Sequence, residues 1–85
     1  MTAVALMWEA RAVEGRGPEL LAWARAQELP REPVRVEFFR APDDRVLVIT
    51  WWEAPGLDAD LPELPEPDGG LVTRPVHRWR FEAVP

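Results

Sequence analysis

The sequence predicts a small α+β domain: a four-stranded antiparallel sheet with helical structure on one side. Four segments alternate residue by residue, as half- or fully buried strands do: Val4–Ala12, Val34–Arg40, Val46–Glu53 and Leu71–Phe81. One segment, Glu19–Leu29, instead carries its apolar residues at helical spacing. Turn-forming runs separate them, namely Gly15-Arg16-Gly17-Pro18, Ala41-Pro42-Asp43-Asp44 and Pro67-Asp68-Gly69-Gly70.

In the first strand Val4, Leu6, Trp8 and Ala10 share one face, and Ala3, Ala5, Met7, Glu9 and Arg11 the other. Both faces are apolar through the middle, which predicts a central strand. Pro18 suits the first helical turn, and Glu19 favours its positive end. Leu20, Trp23, Ala24 and Gln27 line up along the helix with Leu21 beside them; Arg25 and Glu28 face solvent, and Pro30 and Pro33 stop it.

The second strand sets Val34, Val36 and Phe38 against Arg35, Glu37 and Phe39, a one-sided pattern expected near an edge. The third has Val46, Val48, Thr50 and Trp52 on one face and Leu47, Ile49 and Trp51 on the other, so it too is central. Between Ala54 and Gly70, Leu57, Leu61 and Leu64 sit at i, i+4 and i+7. Pro62, Pro65 and Pro67 forbid a long helix, and the expectation is a short second helix or 3₁₀ turn with an Asp60/Glu63 capping box. The last strand places Thr73, Pro75, His77, Trp79 and Phe81 on one side and Arg74, Val76, Arg78 and Arg80 on the other; Pro75 puts its first half at an edge or bulge. The order β-α-β-β-(short α)-β, with strands one and three central, is that of a ferredoxin-like sheet ordered 4-1-3-2.

The 85 residues make a single domain, 1–85. The net charge of −5 argues against nucleic acid as a partner, and all ten positive residues are arginine. Cysteine is absent and His77 is the only histidine, so neither a disulfide nor a thiolate or multi-histidine metal site is expected, and no cofactor is implied. The longest apolar N-terminal run, Ala3–Trp8, is too short for a bilayer and no basic residue precedes it, so the expectation is a cytoplasmic protein without a membrane partner.

One three-turn helix and a shorter second one cover a single sheet face. Met7, Trp8, Phe38, Phe39, Trp51, Trp52, Trp79 and Phe81 are too many large groups for that face alone. A second copy packed sheet to sheet, as a homodimer, is the simplest cover. Half-exposed aromatics are the simpler alternative.

With Val13-Glu14-Gly15-Arg16-Gly17-Pro18-Glu19-Leu20-Leu21 leading from the first strand into the helix, the layout resembles the dimeric α+β barrel proteins, and more narrowly the antibiotic-biosynthesis-monooxygenase-like group. The resemblance implies a homodimeric α/β barrel with a pocket between sheet and helices. Its members include cofactor-independent quinol-forming oxygenases and haem-degrading oxygenases. The haem-degrading type relies on an asparagine, a tryptophan and a histidine on the second helix; this chain has no asparagine, and its histidine lies on the last strand. The polyketide-oxidising type uses asparagine, tryptophan and tyrosine, and tyrosine is absent as well.

His77, beside Trp79 and Phe81, is the candidate catalytic residue, as a proton acceptor or haem ligand; the alternative is a hydrogen-bonded structural histidine. Trp51 and Trp52 point to opposite faces, so one ring could stack on a planar ligand while the other fills core or interface, and Trp8 could join the ring on its own face. Arg74, Arg78 and Arg80 share a face and could hold an anion or form a solvated edge. Glu9 and Glu53 end adjacent central strands at a separation the sequence does not set. No serine or cysteine nucleophile and no phosphate loop is present.

The functional expectation is a binding protein for a small aromatic or apolar ligand. Trp8, Trp51, Trp52, Trp79 and Arg78 are its candidate ligand residues, and His77 is the base if it is a cofactor-independent oxygenase. The alternative is a non-catalytic dimerisation module whose aromatics only pack.

Overall fold

The computed structural model describes residues 1–85. Its elements are β1 (Thr2–Arg11), α1 (Gly17–Arg25), β2 (Arg35–Ala41), β3 (Arg45–Ala54) and β4 (His77–Glu82). The strands form one antiparallel sheet in the order β2-β3-β1-β4, so the two strands that are apolar on both faces are the two central ones. Their ladder runs without a break from Thr2↔Ala54 to Arg11↔Arg45.

Helix and connecting segments all lie on one side of this sheet. Val4, Leu6, Trp8 and Ala10 from β1 and Val46, Val48, Thr50 and Trp52 from β3 are buried beneath them. Leu20 and Ala24 of α1 pack over Trp8, Val46 and Val48, where the Trp8 and Trp23 rings stack 5.9 Å apart. Leu61 packs over Val4, Leu6 and Trp52. The helix ends at Arg25, short of the expected Leu29, and Gln27 Nε2 donates to the freed Trp23 carbonyl at 3.0 Å. Pro30 disfavours a helical Leu29. Released from the helix, Leu29 packs against both halves of the core.

The expected second helix does not form; Pro55–Val76 contains only turns, bends and irregular backbone apart from a single bridge at Val72. Pro62 and Pro65 keep Leu61 and Leu64 out of the helical region, and each proline removes a donor. The segment is a strap tied down from the sheet. Arg80 Nη1 donates to the carbonyls of Leu57 (2.8 Å) and Ala59 (2.7 Å). Arg78 Nη1 donates to that of Leu64 (2.7 Å), and Trp8 Nε1 to that of Pro65 (3.3 Å). Glu63, free of any capping box, takes Arg78 and Arg80 instead. Leu61 and Leu64 are still buried, each worth about 1.5–3 kcal/mol of transfer free energy. The last strand likewise starts later than expected, at His77; before it, the backbone pairs with the β1 side of the chain only through the isolated bridge Ala12↔Val72.

The turn between β2 and β3 has a second role. Asp43 and Asp44 adopt left-handed φ values of 67° and 58°, which aspartate tolerates better than most residues. This aims the Asp44 carboxylate at the start of α1, where it accepts the Gly15 and Gly17 amides at 2.9 and 3.1 Å. The helix has no side-chain cap of its own, so the hairpin supplies one. A side chain at Gly17 would begin 2.7 Å from Asp44 Oδ1, which accounts for the glycine. At the same corner Arg16 binds Glu19 and the Gly70 carbonyl, and this guanidinium holds the Glu19 carboxyl below its ordinary range.

Candidate functional site

The other side of the sheet carries no covering layer. Strand register sets out its side chains in rows across β2, β3, β1 and β4: Phe39, Leu47, Glu9, His77; then Glu37, Ile49, Met7, Trp79; then Arg35, Trp51, Ala5, Phe81. The middle is apolar, the β2 edge carries Glu37 and Arg35, and the β4 edge carries the exposed rings of Trp79 and Phe81. Phe39, Trp79 and Phe81 are 44–53% exposed, unusual for rings on a continuous apolar surface. Ala5 is nevertheless buried, because Trp51 and Phe81 flank it in the same row.

A polar cluster occupies one end of this face. Glu9 Oε1 and Oε2 accept from Arg74 Nη2 at 2.7 and 2.9 Å. His77 Nδ1 lies 3.6 Å from Glu9 Oε1, and its ring meets Trp79 edge-on at 5.4 Å. The carboxylate is the sheltered member, its side chain 16% exposed against 50% for His77. With Nδ1 turned to Glu9, Nε2 is the nitrogen a ligand reaches. A carboxylate and an imidazole side by side are groups that general acid–base chemistry uses, although at 3.6 Å the two are not hydrogen-bonded. The cluster borders a groove of about 410 Å³ floored by Met7, Leu47, Phe39 and Trp79, with Arg40 and Arg45 at its rim.

Two other depressions have similar size but different walls. One, of about 480 Å³, lies between the start of α1 and the β2–β3 hairpin. The other, of about 520 Å³, runs between the 27–33 connection and β2 over Phe38, Val48 and Leu64. Neither brings a histidine, a carboxylate–arginine pair and a tryptophan together. Over β1 the space between sheet and helix is filled by Trp8 and Trp23, and no buried side-chain nitrogen or oxygen lacks a partner. No three histidine, cysteine, aspartate or glutamate side chains converge as a metal-ligand set.

The expected site residues divide between the two faces. His77, Trp79 and Trp51 stand on the open face, with Trp51 Nε1 donating to Glu37 at 2.8 Å and Arg35 lying over its ring. Trp8, Trp52 and Arg78 stand on the covered face. Trp8 and Trp52 are core, the latter bonded to Thr50 Oγ1 at 3.0 Å, and Arg78 ties the strap. Arg74 does not share a face with Arg78 and Arg80: the chain is irregular until His77, and Arg74 reaches Glu9 on the open side. Glu9 and Glu53 lie at opposite ends of the sheet, since antiparallel pairing sets Glu9 against Leu47 and Glu53 against Ala3.

Sequence reasoning made no claim for Glu9 and grouped Arg74 with Arg78 and Arg80 rather than with Glu9. Antiparallel pairing of the first and last strands would have brought Glu9 beside His77, but nothing local marks Arg74 as its partner. No protein-family model, curated protein or solved structure matches the chain, and the reading of the site rests on its geometry.

Proposed function

We propose that this chain is a homodimeric α/β barrel that binds a small planar aromatic ligand on the sheet face it leaves uncovered. One observation carries the reading: His77, Glu9, Arg74 and Trp79 converge on a groove in that face. A volume of about 410 Å³ falls in the range of small-molecule sites. A second sheet laid against the first covers the apolar centre and roofs the groove.

Element order and the glycine turn before α1 resemble those of the antibiotic-biosynthesis-monooxygenase-like group, and that resemblance supports the reading. The pocket those proteins hold between sheet and helices is blocked over β1 by the Trp8–Trp23 stack, which moves the site to the opposite face. A catalytic version would use His77 to accept a proton from a phenolic hydroxyl, with Glu9 beside its ring.

Equilibrium dialysis against 2-naphthol tests the binding. Saturable uptake of one ligand per chain, weakened about tenfold in Trp79→Ala, is expected from loss of a stacking ring. Absence of saturation up to millimolar ligand refutes the reading. The fully satisfied core favours a second one, a non-catalytic dimerisation module, which a dimer that binds nothing would support.

A further inference from the structure

The arginines are not spent evenly. Arg16, Arg35, Arg74, Arg78 and Arg80 form ion pairs. Arg25, Arg31 and Arg35 lie over aromatic rings. Arg11, Arg40 and Arg45 do neither, and all three gather at one end of the sheet. Arg11 and Arg45 are direct cross-strand partners on the open face, one row beyond Glu9 and Leu47, and Arg40 pairs with Val46 beside them.

Like charges directly opposite one another destabilise a sheet. The usual explanation for such charges, protection of an exposed edge, does not apply, because β1 and β3 are the central strands. General charge does not explain them either, since the chain carries a net −5. The nearby carboxylates are otherwise engaged or unpaired with them: Asp44 is taken up by two glycine amides and Glu9 by Arg74. Arg40 and Arg45 border the groove that Trp79, Met7 and Leu47 floor.

We infer that the groove is selective for an aromatic carboxylate, whose ring lies against Trp79 and Met7 and whose carboxylate is the missing counter-ion of Arg45 and Arg40, the two unpaired arginines that line it. Guanidinium groups bind carboxylates through charge-assisted hydrogen bonds, about twice as strong as neutral ones. The inference rests on the groove being a ligand site, and specifies its ligand.

Isothermal titration calorimetry with 2-naphthoate and its neutral isostere 2-naphthamide separates the two claims, using wild type, Arg45→Gln and Arg40→Gln. All three proteins are also weighed by sedimentation. The expected result is naphthoate bound about tenfold more tightly than naphthamide, with that preference lost in Arg45→Gln and naphthamide affinity unchanged. Equal affinities in wild type overturn the anion preference and leave the groove standing. Binding of neither compound overturns the groove itself and the inference with it. A preference that survives in both variants, or variants that weaken only the dimer, overturns it too, the latter by showing that a carboxylate of the second copy is the counter-ion.

Discussion

Replacing Asp44 tests how the hairpin, the helix and the arginine end of the groove are held in register. In Asp44→Ala the Gly15 and Gly17 amides lose their acceptor, and α1 loses the only side chain that caps it. A lost cap of this kind costs about 1 kcal/mol, within a range of about 0.5–2. Residue 44 also sits at φ 58°, where alanine pays about 1–2 kcal/mol that aspartate partly avoids. The two effects sum to about 2–3 kcal/mol, or roughly 8–24 °C in midpoint for a domain of this size. Urea denaturation followed by circular dichroism measures it. Asp44→Gly loses the cap and relieves the backbone, so it falls between wild type and alanine; Asp44→Asn keeps one acceptor but sets its NH2 against the other glycine amide, so it too is less stable than wild type. The clash that a Gly17→Ala methyl meets at Asp44 Oδ1 disappears in the Asp44→Gly background, so the double variant is more stable than the single effects predict. An alanine variant as stable as wild type would refute the capping argument, and a glycine variant as damaged as alanine would refute the backbone part.

Other consequences follow from the same contacts. Arg80→Ala removes the donor to the Leu57 and Ala59 carbonyls and should cost about 1.5–3 kcal/mol, with faster amide exchange across the 55–66 strap; unchanged exchange there would show that Leu61 and Leu64 hold it unaided. Glu9→Ala leaves Arg74 without its carboxylate and His77 without its neighbour, so naphthol affinity should drop while the melting curve stays cooperative; intact affinity would separate the pair from the site. Because Arg16 holds the Glu19 carboxyl below its ordinary value of 4.5, that pair stabilises the fold above this value and is lost as pH falls through the lowered one. Glu19→Gln should therefore be less stable than wild type near neutrality and indistinguishable from it in strong acid; a difference that persists in strong acid would point to another cause.

Much of the architecture can be read from residue order. A strand apolar on both faces must be central, and β1 and β3 are. Trp51 and Trp52 had to part to opposite faces, and they do. Two features were hidden for physical reasons. The leucines at 57, 61 and 64 mimic a helix, but closely spaced prolines prevent one. What replaces it depends on Arg78, Arg80 and Trp8 donating from the distant sheet, which no local pattern records. Alternation also cannot say which of two apolar faces will be covered. Trp8, Trp52 and Arg78 therefore turned out to be separated from Trp51, Trp79 and His77 by the thickness of the sheet. Within the site, His77 and Trp79 are visible as strand neighbours. Arg74 is not, because alternation fails before His77 and frees it to cross to Glu9.

The central claim is that two open sheet faces pack against each other. Sedimentation equilibrium of wild type and Ile49→Lys tests it most directly, since Ile49 sits in the middle of that face between Glu37 and Met7 and its lysine would gain Glu37 as a neighbour in a monomer. The account predicts wild type at twice the 9.7 kDa of one chain at micromolar concentration, and Ile49→Lys at 9.7 kDa with an unchanged circular dichroism spectrum. A wild-type monomer, or an Ile49→Lys variant that remains a dimer, would contradict it.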